Sequence, residues 1–214
     1  MVVLPVRPKI ALFMSYYKRP EYTELAIKAL KEAQEYVNTD IYLVDDNEPN
    51  LGLRDRIISF FDTVRPMDYD ILAKMDNDCI VPKNWLNDII KVMQNSDADI
   101  LSPNVIPSNA AFTYGKEDTD NKGYRPAEIV GGLWVMKAHL INNIFFERHQ
   151  TNGLTGAISI LKQICVEKEP VIGWVPDVIV EDIGHWSGKH KLHIKSKEHE
   201  QYSKEVGRQI AWKA

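Results

Sequence analysis

Apolar segments of strand length alternate with amphipathic segments of helix length through the first 105 residues, and this alternation restricts the chain to a few folds. "KIALFMS" (9–15) reads as a buried strand. "PEYTELAIKALKEAQEYV" (20–37) reads as a helix, since Pro20 suits its first turn and Tyr22, Leu25, Ala26, Ala29, Ala33 and Val37 recur at helical spacing. "DIYLVDD" (40–46) is a second strand, residues 53–64 a helix, and "YDILAKM" (69–75) a third strand. "PKNWLNDIIKVMQ" (82–94) follows as a helix with Trp85, Ile89 and Met93 on one face, and "ADILSPNV" (98–105) as a fourth strand. The pattern predicts an α/β fold with a mostly parallel central sheet flanked by helices. Ligands of such sheets bind beyond the carboxyl ends of the strands, and Ser15, Asp45, Asp46, Asp76 and Asp78 all fall there.

The rest of the chain is less regular. Residues 106–126 are polar and rich in turn formers, and a loop of that length in a compact chain is usually functional or disordered. "AEIVGGLWVMKAHLI" (127–141) reads as a strand, a Gly-Gly turn and a second apolar segment. Residues 152–168 read as a helix with Leu154, Ala157, Ile158, Leu161 and Cys165 inward, and 170–186 as one or two short strands. The charged tail, 196–214, reads as a surface helix. The 214 residues suit a single domain.

Composition narrows the function classes. A formal net charge of -4 gives no sign of nucleic acid or an anionic membrane as partner. Cys79 and Cys165 form neither a zinc spacing nor a disulfide framework, which fits a reducing compartment. Pro5 and Pro8 interrupt the apolar N-terminal stretch, and no apolar run approaches the length that spans a bilayer. The expectation is a soluble, cytoplasmic protein.

The chemistry concentrates in Asp76-Asn77-Asp78, at the end of the third strand. Two carboxylates leaving a buried strand repel each other and lose solvation. A divalent cation, Mn2+ or Mg2+, offsets that and can hold a diphosphate. The plainer alternative is a polar turn with Asp78 near the next helix N-terminus. The pair is on the third strand, whereas haloacid-dehalogenase-type phosphatases carry theirs on the first. Asp45 and Asp46 follow the second strand, whereas receiver domains place an acidic pair after the first. No Walker P-loop and no G-x-G-x-x-G occurs.

Taken in order, these segments resemble the nucleotide-binding half of GT-A glycosyltransferases, especially the family-2 type. "IALFMSYYKRP" resembles the opening strand and the loop bordering the nucleotide, which implies donor contacts from Ser15 and Tyr16. "IYLVDDNEPN" resembles the second strand, whose terminal Asp contacts the base, here Asp45 or Asp46. "NLGLRDR" is similar to the family's Asn-x-Gly stretch with a following Arg, here Arg54 or Arg56, and "AKMDNDCIVPKNWL" to its D-x-D strand and following helix. "EIVGGLWVMKAHL" resembles the segment lining the acceptor site, which points to Gly131, Gly132 and Trp134; the Trp134 ring is either core or a stacking surface for a sugar. "HWSGKH" (185–190) resembles a His-x-x-Gly-Lys arrangement of some retaining members, with His185 as metal ligand beside Asp76 and Asp78, and Lys189 meeting the diphosphate.

The resemblance implies one GT-A (Rossmann-like) domain with a small acceptor-side subregion. Residues 1–105 would bind the nucleotide sugar, with UDP as the default nucleotide, and 106–195 would hold the acceptor and close the metal site. It also exposes a departure. Inverting family-2 enzymes carry an acidic pair in the helix after the Gly-Gly segment, whereas no Asp or Glu lies between Arg148 and Val166 here. Either the base comes from elsewhere, with Glu128, Glu147, His149, Asp177, Glu181 and Asp182 as candidates and either of the last two also placed to join the metal shell, or the enzyme is retaining and uses no conventional base; inverting and retaining outcomes both stay open. The expected function is metal-dependent sugar transfer. The alternatives are a nucleotide-sugar-binding or partner subunit without catalysis, and a nucleotidyltransferase, against which the glycine-free "SYYKRPEY" counts.

Overall fold

The computed structural model describes residues 4–5, 7–16, 19–33, 39–45, 52–65, 67–106, 123–127, 132–143 and 170–184. The elements are β1 (Ile10–Tyr16), α1 (Pro20–Ala33), β2 (Thr39–Asp45), α2 (Gly52–Val64), β3 (Ile71–Lys74), β4 (Cys79–Ile80), α3 (Trp85–Gln94), β5 (Ile100–Ile106), β6 (Arg125–Pro126), β7 (Trp134–Lys137), a 3-10 turn (Ala138–Asn143) and β8 (Ile172–Asp182). All strands join one sheet in the order β2-β1-β3-β7-β5-β8-β4, with β6 pairing β8. Strands β1, β2, β3, β5 and β8 run one way, and β4, β6 and β7 run the other. The sheet is therefore mostly parallel, flanked by helices on both faces.

The period of two along β1 sorts its side chains between two cores. Ile10, Leu12 and Met14 pack with Ala26 and Leu30 of α1 and with Trp85, Ile89 and Met93 nearby. Ala11 and Phe13 face the opposite layer, where Phe13 stacks on Phe60 of α2 at 5.0 Å between centroids. A strand buried on both faces must be apolar at nearly every position, which is why "IALFM" reads as a continuous run. Strand β2 sits at the sheet edge and is only partly covered.

Two elements differ from the sequence reading. Helix α3 starts at Trp85, not Pro82, because Asn84 takes a left-handed conformation (φ 62) that breaks the helical path. Asn is one of the few residues that accept that conformation at low cost. The last strand is one continuous element of 11 residues. Its register against β5 jumps between Pro103 and Asn104, so that Pro176, Asp177 and Val178 form a bulge. The helix read at 152–168 and the tail helix at 196–214 lie outside the described residues. Among the described residues no helix is long and apolar enough to cross a membrane.

At the sheet end away from the D-x-D turn, the Tyr124 hydroxyl donates to Asp97 Oδ1 at 2.8 Å. Burial first, then Asp97, pushes its pKa up to about 12. The folded chain holds this proton more tightly than the unfolded one. The stabilisation is thus complete below about pH 10, the ordinary tyrosine value, and is lost as pH rises through about 12. Melting temperatures from pH 9 to 12 are expected to fall less steeply in Tyr124→Phe than in the wild type. Other groups with raised pKa values share the remaining slope, among them Tyr69, which donates to Asp40 at 2.6 Å and is raised by burial first. Identical slopes would show that the Tyr124 hydroxyl carries no linkage.

Candidate functional site

Strand β3 is fully buried, and its last residue, Lys74, leads directly into Met75-Asp76-Asn77-Asp78. The turn is held from three sides. Met75 N donates to Phe13 O of β1 at 2.9 Å, Cys79 N closes the turn onto Asp76 O at 3.3 Å, and Ile183 N donates to Asp78 O at 2.9 Å. Strand β4 then pairs with β8, Cys79 opposite Asp182 and Ile80 opposite Glu181. This short pairing brings Asp182 within electrostatic reach of Asp78.

Each carboxylate of the pair carries an internal cation. Lys74 Nζ donates to Asp76 Oδ1 and, at 2.5 Å, to the carbonyl of Gly132. Arg19 Nη1 donates to Asp78 Oδ2 at 2.8 Å. The central Asn77 donates through Nδ2 to Thr23 Oγ1 at 2.9 Å, and Thr23 Oγ1 donates to Arg19 O at 3.1 Å, which ties the turn to the start of α1. Neither basic residue stands out in the sequence reading. Lys74 leaves a signal in retrospect, since a lysine inside the apolar run "ILAKM" needs a buried partner.

Two glycines complete the cradle. A Cβ on Gly132 would collide with the Asp76 carboxylate, and one on Gly184 with the Asp78 carboxylate. Within the Gly-Gly turn it is Gly132 that comes close to the Asp76 carboxylate; Gly131 lies outside the described residues. Gly132→Ala and Gly184→Ala are each expected to displace their carboxylate at a cost of about 1–3 kcal/mol. Thermal melts should register that loss, and unchanged melting would mean that the turn has room to shift.

The electrostatics are unbalanced. Burial, then Asp76, then Asp182 push the Asp78 carboxyl up to about 7, and Arg19 and Lys74 counter only part of this. Cys79 is fully buried beside the same carboxylates, and burial chiefly drives its thiol pKa well up, so it stays a neutral thiol and not a nucleophile. A further positive charge would relieve the turn, and the donors are hard carboxylate oxygens, as Mn2+ or Mg2+ require. Asp76 and Asp78 thus fit a divalent cation in chemistry and charge. Among the described residues, however, no group of three His, Cys, Asp or Glu converges as a complete ligand set. His185 and Lys189 lie outside the described residues.

Ser15, Tyr16 and Asp45, expected on the donor side, lie at the same sheet end, on β1 and β2. Ser15 pairs with Val44 in register and Tyr16 with Asp45. The Tyr16 pKa is raised, by burial first and then by the adjacent, hydrogen-bonded Asp45. Of the two arginines considered, Arg56 reaches this corner, donating through Nη2 to Asp45 O at 3.3 Å. Asp46 and the Arg54 side chain lie outside the described residues. Trp134 differs from the acceptor role considered for it. Its side chain is fully buried and packs against Phe61 at 6.1 Å between centroids, so its ring has no face open to a sugar.

By sequence the chain matches no known family and no curated protein. Its fold does have counterparts. The mannosyltransferase PcManGT from Pyrobaculum calidifontis, solved in complex with GDP-Man and Mn2+, is similar at a TM-score of 0.64 and 16% identity, over 88% of this chain and 61% of that one. The fold is GT-A. GalNAc-T7, solved with UDP, GalNAc and Mn2+, shares it at a TM-score of 0.54 and 11% identity, over 83% of this chain and 44% of its own. So does glucosyl-3-phosphoglycerate synthase from Mycobacterium tuberculosis, solved with Mn2+, UDP and phosphoglyceric acid, at a TM-score of 0.52 and 10% identity, over 79% of this chain and 68% of that one. The chain spans less than two thirds of the first two of these GT-A proteins.

Proposed function

We propose that this chain is a metal-dependent, family-2-like glycosyltransferase that moves a sugar from a nucleoside-diphosphate sugar to an acceptor hydroxyl. The observation that carries the reading is the β3–β4 turn. Asp76 and Asp78 emerge from the central sheet of a GT-A fold, each seated on a glycine, with more negative charge than Lys74 and Arg19 offset. The GT-A neighbours solved with Mn2+ and a nucleotide or nucleotide sugar support it. Residues 1–105 would bind the donor, and 106–195 would supply the acceptor side and His185. Gly184, the residue before His185 in sequence, touches the Asp78 carboxylate.

During transfer the bond between the anomeric carbon and the diphosphate breaks, and its electron pair stays on the leaving oxygen. Asp76, Asp78 and His185 would hold a divalent cation, which would supply Lewis-acid stabilisation of that charge. The chain's own part is orientation. Ser15, Tyr16 and Asp45 form one corner for the nucleoside, with Arg54 and Lys189 as further donor contacts, while Lys74 holds Asp76 against the Gly132 segment. The acceptor hydroxyl's proton needs a base. Glu181 and Asp182, which β8 pairs opposite Ile80 and Cys79 beside the turn, are the candidates this reading favours.

Melting the protein with a panel of nucleoside diphosphates, with and without Mn2+, tests this. One diphosphate is expected to raise the melting temperature only with Mn2+ present. At 100 times its Kd the gain is about 2.7 kcal/mol, or roughly 5–10 °C for a chain of this size. The shift should vanish in Asp78→Ala. No shift with any nucleotide would overturn the reading, and binding without release of sugar from any donor would favour a non-catalytic binding subunit, for which the missing acidic pair between Arg148 and Val166 already speaks.

A further inference from the structure

We infer that Arg19 is a displaceable counter-ion, holding Asp78 while no divalent cation is bound and yielding the carboxylate when one binds. The inference rests on the proposed metal-dependent reading and adds a residue which that reading does not use. Two basic side chains neutralise the turn, and their settings differ. The Lys74 side chain is 1% exposed and is held both by Asp76 and by the Gly132 carbonyl. The Arg19 side chain is 24% exposed, and its guanidinium has a path to solvent. It also lies 5.8 Å from the Tyr22 ring centroid, a second surface on which a guanidinium can rest.

The backbone fixes the position from which the Arg19 side chain reaches Asp78. The φ of Arg19 is 58, a left-handed conformation uncommon for a non-glycine residue. Three donors hold that conformation through the Arg19 carbonyl: Tyr22 N and Thr23 N at 3.2 Å each, and Thr23 Oγ1 at 3.1 Å. Thr23 Oγ1 also accepts from Asn77, so the residue carrying the guanidinium is wired to the D-x-D turn itself. The chain thus holds an unusual backbone conformation at the position that points a cation onto Asp78. Arg19 and a metal would compete for the same carboxylate oxygens, so the guanidinium weakens cation binding in the absence of donor.

Binding of Mn2+ alone, read from the free-ion electron paramagnetic resonance signal, tests this without any turnover. Arg19→Gln is expected to bind Mn2+ at least about tenfold more tightly than the wild type, the effect of removing one neighbouring like charge. Arg19→Gly repeats the test with a residue suited to the positive φ, should the glutamine variant fold poorly. Arg19→Lys, which keeps the charge, should stay near the wild type. Equal or weaker Mn2+ binding by both neutral variants, with normal binding by the wild type, would overturn the counter-ion role and leave the proposed function standing. No Mn2+ binding by the wild type, with or without nucleotide, would overturn both.

Discussion

Asp76→Ala is expected to lower the melting temperature by roughly 6–20 °C, far more than removing its partner, Lys74. The asymmetry follows from exposure. The Lys74 side chain is 1% exposed, whereas that of Asp76 is 36% exposed. Deleting Asp76 leaves an ammonium sealed in the sheet with, among the described residues, the Gly132 carbonyl to accept from it. Breaking a buried pair from one side costs about 3–5 kcal/mol, and each kcal/mol moves the midpoint of a chain this long by about 2–4 °C. Lys74→Met instead leaves a carboxylate that water can reach, and its cost is expected to be less than half as large. The double variant Lys74→Met/Asp76→Ala should recover most of the Asp76→Ala loss, because an apolar side chain fits a buried strand position. Thermal melts of the three variants decide the matter. A wild-type midpoint for Asp76→Ala would mean that Lys74 finds another partner or leaves the core.

The same pair shows how much of the site can be read before the fold is known. The strand ends were legible because β1 and β3 are buried on both faces, so "IALFM" and "ILA" are unbroken apolar runs that stop where polar residues begin. Asp45, Asp76 and Asp78 were therefore placed at one end of the sheet from the residues alone. The two-residue strand β4 has no periodicity to read, yet its pairing with β8 is what sets Asp182 beside Asp78. Arg19 stayed hidden because its function is a contact across 59 positions of sequence, and nothing local marks it except the proline that follows. A Gly-Gly turn is legible at 131–132, but the group that Gly132 approaches, the Asp76 carboxylate, depends on the antiparallel pairing of β3 with β7. Asn84 ends the agreement at α3 for the opposite reason: the helical pattern runs on through a residue whose backbone does not follow it.

Asp78→Asn is expected to make the metal-free protein more stable and to abolish its response to Mn2+ with nucleotide. The folded Asp78 carboxyl titrates near 7, against an ordinary value of 3.8. The fold therefore favours the protonated form, and the Asp78 contribution to stability is greatest below about pH 4, falls as pH rises to about 7, and is flat above that. Burial is the first cause and repulsion from Asp76 and Asp182 follows, so the Arg19 pair does not make the ionised group favourable. With the side chain 18% exposed, the penalty is on the order of 3–4 kcal/mol at pH 8. Asparagine removes the charge at nearly constant shape. In the presence of a chelator, Asp78→Asn should melt roughly 6–16 °C above the wild type at pH 8 and level with it at pH 4. A gain at both pH values would assign the effect to packing, and no gain at pH 8 would show that the Arg19 pair fully offsets the buried charge. A stabilised variant without the Mn2+-dependent nucleotide shift would mean that the chain retains an ionised, unfavourable carboxylate at this turn for the cation it binds and not for the fold it stabilises.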